Sequence, residues 1–293
     1  MLVTTKEMLL AAQCGSYGVG AFNVENMEMV MAVLAAAEEQ KSPVIMQTTP
    51  GTIRYAGLDY YLANVRTAAA RAKIPVAMHL DHGDSFQMAM AAFRTGYTSI
   101  MIDGSKLPFE ENIALTASVT AACHAADVPV EGELGKVGGK EDDLEGEDDN
   151  PYTDPEEARI FVERTSVDSL AVGVGTAHGV YKGIPRVNVE CLSAIRKVVD
   201  VPLVLHGTSG VPDEQVRDCV CRGICKVNYA TDLRIAFTNG IKSFIQEKPD
   251  VFDPKKYSTR GMAEVQAYVM QKMEVVGSVG KAYISEYKRQ SRK

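Results

Sequence analysis

The sequence has no excess of positive charge and no long apolar segment. Its 31 Lys and Arg residues face 38 Asp and Glu residues, which gives a formal net charge of -7. We therefore expect neither nucleic acid nor an anionic membrane surface as a partner, because both select for basic proteins. No apolar run approaches the roughly 20 residues that a membrane-spanning helix needs. A small anionic substrate is still compatible with this charge, since local groups hold a phosphate.

Signals for secretion and for a redox motif are also missing. The six cysteines show no Cys-x-x-Cys spacing and sit in or beside apolar segments, which is typical of small buried thiols. The first eight residues contain no basic region followed by an apolar stretch and a cleavage site. No Asn-x-Ser/Thr glycosylation site occurs. Together these features predict a cytoplasmic protein.

Short apolar runs rich in Val, Ile and Ala recur along the chain, and four of them are introduced by a proline. Proline is tolerated at the first residue of a strand, and unbroken apolar runs are typical of parallel strands that are covered on both faces. We therefore predict eight parallel strands. The runs are residues 18–24, 43–49, 75–80, 99–103, 129–135, 169–175, 202–207 and 225–230.

The segments between these runs have apolar residues three and four positions apart, as helices do. Such alternation predicts an α/β protein with one (β/α)8 TIM barrel, a single domain over residues 1–293. An open doubly wound sheet is the alternative. Residues from about 248 to 293 lie beyond the eight predicted β–α units of the barrel. We expect extra C-terminal helices there, with a long helix at about 261–287 that packs on the barrel or on a second subunit.

An acidic, glycine-rich segment, residues 136–153, follows the fifth predicted strand. A charge run of this kind is usually a solvated loop. Its length and its position after a barrel strand also make it a candidate lid over the barrel mouth.

Histidine is scarce, and four of the five histidines lie at the ends of predicted strands. His82, His178 and His206 follow the third, sixth and seventh strands, so a barrel would bring them to one rim. Three imidazoles with one open position are typical of a catalytic zinc site. The alternative is that each histidine only satisfies a hydrogen bond. We expect His79 to support the site rather than bind metal, and we assign no function to His124, which lies in a predicted helix.

Glycine-rich turns follow the same strands. Gly179, Gly207 and Gly210 would present backbone N–H groups at the rim, and such groups can bind a phosphate. Lys182 would add a positive charge there, unless it is an ordinary surface lysine. Glu131 and Glu133 are two residues apart on the fifth strand and should point to the same face.

Two stretches closely resemble the class II, zinc-dependent ketose-bisphosphate aldolases. One is Val-Ala-Met-His-Leu-Asp-His-Gly at 76–83, and the other is Val-Glu-Gly-Glu-Leu-Gly-Lys-Val-Gly-Gly-Lys-Glu at 130–141. The motifs Gly-Thr-Ala-His-Gly at 175–179, Leu-His-Gly-Thr-Ser-Gly at 205–210 and Lys-Val-Asn at 226–228 then follow in the family's order. The resemblance covers nearly the whole chain.

This resemblance implies a barrel in which the three histidines hold one catalytic Zn²⁺. It implies that Asp81 moves the proton on the C4 oxygen, that Glu141 on the acidic loop handles the proton at C3, and that Asn228 steadies the enediolate. Asp103, Glu131 and Glu133 would support the ligands or form an alternative zinc position.

The resemblance also implies a phosphosugar substrate whose C1 phosphate is bound at the strand ends. In some members a monovalent cation (Na⁺ or K⁺) lies nearby. Family members imply a homodimer or homotetramer, and tagatose-type enzymes are sometimes paired with a helper subunit. The residues implied in phosphate binding are Gly179, Lys182, Gly207, Thr208, Ser209, Asn228 and Thr231.

The substrate prediction depends on two departures from the fructose-bisphosphate pattern. Fructose-type members usually have Asp two residues after the strand-8 Asn, where this chain has Ala230. Many also have Ser-Glu-Gly after the second strand, where this chain has Thr-Thr-Pro-Gly-Thr at 48–52. Both departures resemble the tagatose 1,6-bisphosphate branch. Fructose 1,6-bisphosphate or a related phosphosugar is the alternative, and we hypothesise that Arg234 reaches the distal phosphate.

Three other classes of function are less consistent with the sequence. Metal-dependent hydrolases on this barrel usually have a His-x-His pair at the first strand, which here has no histidine. A Schiff-base aldolase needs a lysine near the end of the sixth strand, and none is there. A non-catalytic barrel that supports a partner aldolase would not need Asp81, Glu141 and all three histidines.

Overall fold

The computed structural model describes residues 1–135, 138–141, 144–146, 152–179, 181, 183 and 185–282. For 138–141 and 144–146 the description is of the backbone alone. All structural statements below refer to these residues.

A closed barrel of eight parallel strands forms the centre of the fold, in the order β1-β11-β10-β8-β5-β4-β3-β2. Each barrel strand overlaps one of the predicted apolar runs. The TIM-barrel prediction is therefore confirmed, and the open doubly wound sheet is excluded. The barrel strands are β1 Val19–Asn23, β2 Val44–Thr48, β3 Val76–Gly83, β4 Ser99–Ile102, β5 Val130–Leu134, β8 Ser169–Val172, β10 Leu203–Leu205 and β11 Ile224–Tyr229.

A small second sheet lies in and beside the acidic segment. It contains β6 Gly138–Glu141, β7 Leu144–Gly146 and β9 Ala177–His178. β6 pairs antiparallel with β7 and parallel with β9, with Gly139 opposite His178. The backbone of the acidic segment is thus joined to the short strand that carries one of the predicted metal ligands.

Helices surround the barrel, and several of them begin at residues with capping side chains. Asn26, Ser85, Asp154 and Asn188 each accept a backbone N–H from the first turn of the following helix. The helices are α1 Thr5–Gly15, α2 Met27–Gln40, α3 Pro50–Ala56, α4 Leu58–Arg71, α5 Phe86–Thr95, α6 Phe109–His124, α7 Pro155–Thr165, α8 Val189–Val198, α9 Asp213–Cys221, α10 Thr231–Glu247 and α11 Pro254–Val275.

The apolar core explains why the site lies at one end of the barrel. A large cluster fills the layer between the strands and the outer helices. Inside the barrel, small apolar side chains such as Ala21 and Ala77 occupy the N-terminal end, where Met8 and Leu9 of α1 cover them. The buried polar side chains of the interior follow towards the C-terminal ends of the strands, where barrel enzymes carry their reacting groups.

The C-terminal helix differs from its predicted bounds. α11 spans Pro254–Val275 rather than about 261–287, because Asp253 caps its first turn and Pro254 occupies the first helical position. It packs on α10 and α2, and Gly18 N–H donates to the Val276 carbonyl (2.8 Å). Residues 283–293 lie outside the described part. None of the described helices is long and apolar enough to cross a membrane.

Candidate active site at the barrel mouth

The three predicted histidines meet at the C-terminal end of the barrel. His82 is on β3, His178 is on β9 and His206 follows β10. One ring nitrogen or more from each lies within 4.8 Å of the others. His82 Nε2 and His206 Nδ1 are only 2.8 Å apart, and both side chains are buried.

A bulge in β3 makes this geometry possible. Consecutive strand residues normally face opposite sides, so Asp81 and His82 should not both face the barrel interior. The pairing of β3 with β4 advances three residues, from Leu80 to Gly83, against two on β4. His82 takes up the extra residue with a positive φ of 47°. Both side chains therefore reach the site.

Carboxylates fix which nitrogen of each ring carries a proton. His82 Nδ1 lies 2.9 Å from Asp103 Oδ2, and His206 Nε2 lies 3.0 Å from Glu131 Oε1. A carboxylate accepts, so these two nitrogens donate. The remaining nitrogens, His82 Nε2 and His206 Nδ1, then direct lone pairs at each other across 2.8 Å. A proton on one of these nitrogens, or a metal cation bound by both, would satisfy this contact.

The electrostatics of the site also favour positive charge at this point. Burial would lower the pKa of His82, but Asp81, the hydrogen bond to Asp103 and the charge of Glu133 raise it well above its usual value. Burial lowers the pKa of His178 and of His206 well below the usual value, and His82 adds to both shifts. His178 and His206 are thus neutral rings with a lone pair to offer.

The donor set fits zinc. Neutral imidazoles are common zinc ligands, and three nitrogens at about 2.0–2.1 Å from one tetrahedral ion would lie roughly 3.4 Å apart. One pair of ring nitrogens is 2.8 Å apart, somewhat closer than this value, and the third ring lies beside them. Glu133 Oε2 is buried without a hydrogen-bond partner among the described residues, 3.6 Å from His82 Nδ1. Such an orphaned acceptor is also consistent with a cation nearby.

Asp103 and Glu131, the other two carboxylates predicted to support the ligands or to form an alternative zinc position, each contact a different histidine. Asp103 bonds His82, and Glu131 bonds His206, so both orient predicted ligands. His82, Asp103 and Glu133 also form a second group of possible ligands with atoms within 4.8 Å of one another. The geometry therefore allows a ligand role for Asp103 and Glu133, whereas Glu131 is in neither described ligand group.

Asp81 is held by two amides beside the histidines. Its carboxylate accepts from Asn23 Nδ2 (2.8 Å) and from Asn228 Nδ2 (3.0 Å), and Gln47 Nε2 in turn donates to Asn23 Oδ1 (2.8 Å). Burial would raise the pKa of Asp81, but the nearby His82, His206 and Lys226 and the hydrogen bond from Asn23 lower it below the usual value. Asn23 and Gln47 were missed in the sequence, although each is a polar residue at the end of an apolar strand.

Six of the predicted phosphate residues line one small pocket next to His178. α10 begins at Thr231, so its first N–H groups and the positive end of its dipole face this pocket. The residues that line it are His178, Gly179, Gly207, Thr208, Ser209, Asn228, Ala230 and Thr231.

Tyr181 ties the pocket's two loops together, and sequence reasoning missed it. Its hydroxyl accepts from Ala177 N–H (2.6 Å) and donates to the Gly207 carbonyl (2.7 Å). The backbones of Ala177 and Gly207 also approach so closely that a Cβ on Gly207 would lie 2.7 Å from the Ala177 carbonyl carbon. The loop of His178 and the loop of His206 therefore form one packed unit.

Arg234 lies at the mouth in an ion pair with Glu25. Its Nη2 is 2.6 Å from Glu25 Oε1, and Thr52 Oγ1 donates to the other carboxylate oxygen (2.8 Å). Thr52 belongs to the segment that departs from the fructose-type pattern. Glu25 thus bonds both Thr52 and Arg234.

A buried ionic layer lies directly beneath the histidines. Lys226 Nζ is 2.9 and 3.1 Å from the two Glu131 oxygens and 3.3 Å from His79 Nε2. His79 Nδ1 contacts Ser99 Oγ (2.8 Å). His79 is in neither of the described ligand groups, so its supporting role stays a prediction. Lys226 is fully buried and bound to Glu131, so it does not offer the mouth a free amine for a Schiff base.

Two residues assigned from the sequence fall outside the described part of the site, and His124, to which no function was assigned, lies elsewhere. Lys182 lies outside the described residues. The Glu141 backbone ends β6, but its side chain is outside the described part. His124 bonds Asp168 on the outer face of the barrel (2.7 Å), in line with the absence of any assigned function.

Comparisons with known proteins match almost the whole chain. The family model for class II fructose-bisphosphate aldolase matches residues 3–281. The crystal structure of the YdjI aldolase from Escherichia coli K12 is 36% identical over 96% of this chain and 100% of that one, with a TM-score of 0.86.

Two further structures are similar. A protein from Coccidioides immitis assigned as a fructose-1,6-biphosphate aldolase is 32% identical over 94% of this chain and 96% of that one, with a TM-score of 0.84. The fructose-bisphosphate aldolase of Campylobacter jejuni is 23% identical over 96% and 97% of the two chains, with a TM-score of 0.79, and it shares the fold.

Proposed function

The chain belongs to the class II fructose-bisphosphate aldolase family, which makes it a lyase that performs aldol cleavage, and we propose that it is a zinc-dependent tagatose 1,6-bisphosphate aldolase. The products would be dihydroxyacetone phosphate and glyceraldehyde 3-phosphate. The observation that carries the zinc part of the proposal is the convergence of His82, His178 and His206 beside Asp81, with ring nitrogens of all three within 4.8 Å of one another.

Asp81 is the base of the proposed cleavage. It takes the proton from the C4 hydroxyl, the C4 oxygen becomes a carbonyl, and the C3–C4 bond breaks. The electron pair of that bond moves into the three-carbon half as an enediolate. Asn23 and Asn228 hold the Asp81 carboxylate in place, and its lowered pKa keeps it ionised at neutral pH. A zinc ion on the three histidines would supply Lewis-acid stabilisation of the charge on the ketone oxygen.

Two residues then act on the three-carbon half. Asn228 steadies the enediolate. Its Oδ1 is buried without a partner among the described residues, so it can accept from a substrate hydroxyl. Glu141 returns a proton to C3, and this assignment rests on the resemblance. The pairing of β6 with β9 supports a place for the acidic segment close to the histidines.

The C1 phosphate is placed in the pocket between His178 and α10. Ser209, Thr231 and the N–H groups of Gly179 and Gly207 surround it, and the start of α10 favours its charge. The proposal includes a monovalent cation beside this phosphate. Rates in K⁺, in Na⁺ and in a buffer free of both would test it.

The proposed preference for tagatose 1,6-bisphosphate rests on Ala230 and on the segment 48–52. Thr52 of that segment bonds Glu25, which also pairs with Arg234. Ala230 lines the phosphate pocket where fructose-type members carry an aspartate. Arg234 lies at the mouth near the strand ends, where it can reach the distal phosphate. Fructose 1,6-bisphosphate and related phosphosugars are the alternatives that the assay must separate.

The test is a coupled cleavage assay on zinc-loaded protein. Tagatose and fructose 1,6-bisphosphates are compared side by side, before and after verified metal removal and after zinc is added back. Cleavage that is lost with the metal, restored by zinc and faster on tagatose bisphosphate supports the proposal. Equal activity of the metal-free protein would overturn the zinc assignment, and a strong preference for fructose bisphosphate would overturn the substrate assignment. The predicted homodimer or homotetramer is checked on the same sample by light scattering.

A further inference from the structure

Lys226 has no part in the chemistry proposed above, yet it is fully buried inside the barrel. It shares the inward face of β11 with Asn228, two residues later. Removing an ammonium group from water is costly unless a partner compensates it. A well-packed apolar side chain would satisfy the barrel interior as well, so packing alone does not account for a lysine here.

Glu131 connects Lys226 to His206, one of the predicted metal ligands. Its Nζ bonds both oxygens of Glu131, at 2.9 and 3.1 Å. Glu131 Oε1 lies 3.0 Å from His206 Nε2. His206 Nδ1, on the other side of the ring, is the atom that faces His82. Every side chain in this series is buried.

Lys226 also has a neutral partner that holds it in place. His79 Nε2 lies 3.3 Å from Nζ, and His79 Nδ1 contacts Ser99, which accepts from Thr5. Burial and then the charge of Lys226 lower the pKa of His79 well below its usual value. His79 therefore accepts from Lys226 and leaves the charge of the ammonium group directed at Glu131.

We propose that Lys226 is a positioning residue for the metal site: by anchoring the Glu131 carboxylate it fixes the tautomer and orientation of His206, and so sets the affinity for a divalent metal. This inference rests on the zinc-dependent function proposed above. Partners of this kind commonly change metal affinity by about 10- to 100-fold when they are removed.

Lys226→Met removes the charge and keeps most of the volume. Lys272→Met is the matched control, because Lys272 is also buried and paired, with Asp213 Oδ1 at 2.6 Å, but it lies outside the barrel. Zinc affinity is measured by chelator competition, and ligand geometry by the visible d–d spectrum of Co²⁺-loaded protein. We expect Lys226→Met to weaken zinc binding about 10- to 100-fold and to shift the cobalt spectrum, and Lys272→Met to do neither.

Glu131→Gln, alone and combined with Lys226→Met, tests whether Lys226 acts on His206 through Glu131. If Lys226 acts through Glu131, the double variant should bind zinc no more weakly than the weaker single variant. Independent losses that multiply in the double variant would overturn the proposal. Wild-type affinity and an unchanged spectrum in Lys226→Met would also overturn it, as would equal losses in the Lys272 control. If Lys226→Met does not fold, unchanged zinc affinity in Glu131→Gln decides against the proposal.

These outcomes are separate from those of the proposed function. A wild-type protein that binds no zinc removes the zinc assignment. A wild-type protein that binds zinc tightly, beside a Lys226→Met variant that binds it equally well, removes only the role of Lys226.

Discussion

Gly207→Ala should destabilise the protein and weaken metal binding together, because Gly207 touches the loop that carries His178. Gly207 has a φ of 64°, and an added Cβ would lie 2.7 Å from the Ala177 carbonyl carbon and oxygen. A left-handed conformation costs a non-glycine residue about 1–2 kcal/mol. Displacing closely packed atoms costs about 1–3 kcal/mol more. We therefore expect a loss of roughly 2–5 kcal/mol in the free energy of unfolding.

Gly280→Ala is the matched control. Gly280 has a φ of 74°, but a Cβ added there would have no described atom within 4 Å, so only the backbone cost of about 1–2 kcal/mol applies. Urea denaturation of both variants gives the two free energies, and chelator competition gives their zinc affinities.

The difference between the two variants isolates the contact with Ala177. Since relief of the clash must move the loop of His178 or of His206, Gly207→Ala should also bind zinc more weakly than Gly280→Ala does. Equal stability losses in the two variants, together with unchanged zinc affinity, would refute the inference that the two loops form one packed unit.

Three other predictions concern the base, the distal phosphate and the thiols. Asp81→Ala should keep zinc and lose about 10²- to 10⁴-fold in turnover, whereas Asp84→Ala, an exposed carboxylate paired with Arg54, should leave turnover unchanged; elemental analysis and kcat check both. Arg234→Ala should raise KM for the bisphosphate by about 10- to 100-fold, because one charged hydrogen bond is worth about 1.5–3 kcal/mol. It should hardly change KM for a ketose 1-phosphate, which lacks the distal phosphate. Equal effects on both substrates would contradict a phosphate contact. Burial raises the pKa of Cys123 and Cys225 to about 11 and of Cys219 to about 12, so these thiols stay protonated in the folded protein at pH 9. In the unfolded chain they ionise first. The free energy of unfolding should therefore fall as the pH rises from 9 towards 11–12. A thiol reagent at pH 8 should label the exposed Cys14 and Cys221 before these three, and equal labelling of all five would contradict the burial.

Much of the fold could be predicted from the sequence because local patterns determine it. Apolar runs introduced by proline marked the strands, and Asp154-Pro155 marked the start of α7. The bounds of α11 were wrong, because the pattern of its apolar residues did not reveal the cap at Asp253. The strands of the small sheet were missed as well. The pairing of β6 with β9 joins segments that are almost 40 residues apart, so no local pattern predicts it.

The sequence also predicted which residues meet at the candidate site, since histidines at strand ends must meet at the mouth of a parallel barrel. It could not determine how each side chain is held. Several side chains contribute to the candidate site through hydrogen bonds to residues far away in the chain, which no local pattern reveals. They are Asn23, Gln47, Tyr181 and Lys226.

The contrast is clearest at Asp81 and His82. The residue types and their order were enough to predict a metal ligand beside a base. Strict alternation along a strand, however, would send the two side chains to opposite faces. Only the pairing of β3 with β4 produces the bulge and the positive φ at His82 that bring both to the same site. Residue chemistry is a property of the sequence, whereas strand register arises from contacts between distant segments, and so the tertiary structure alone decided it.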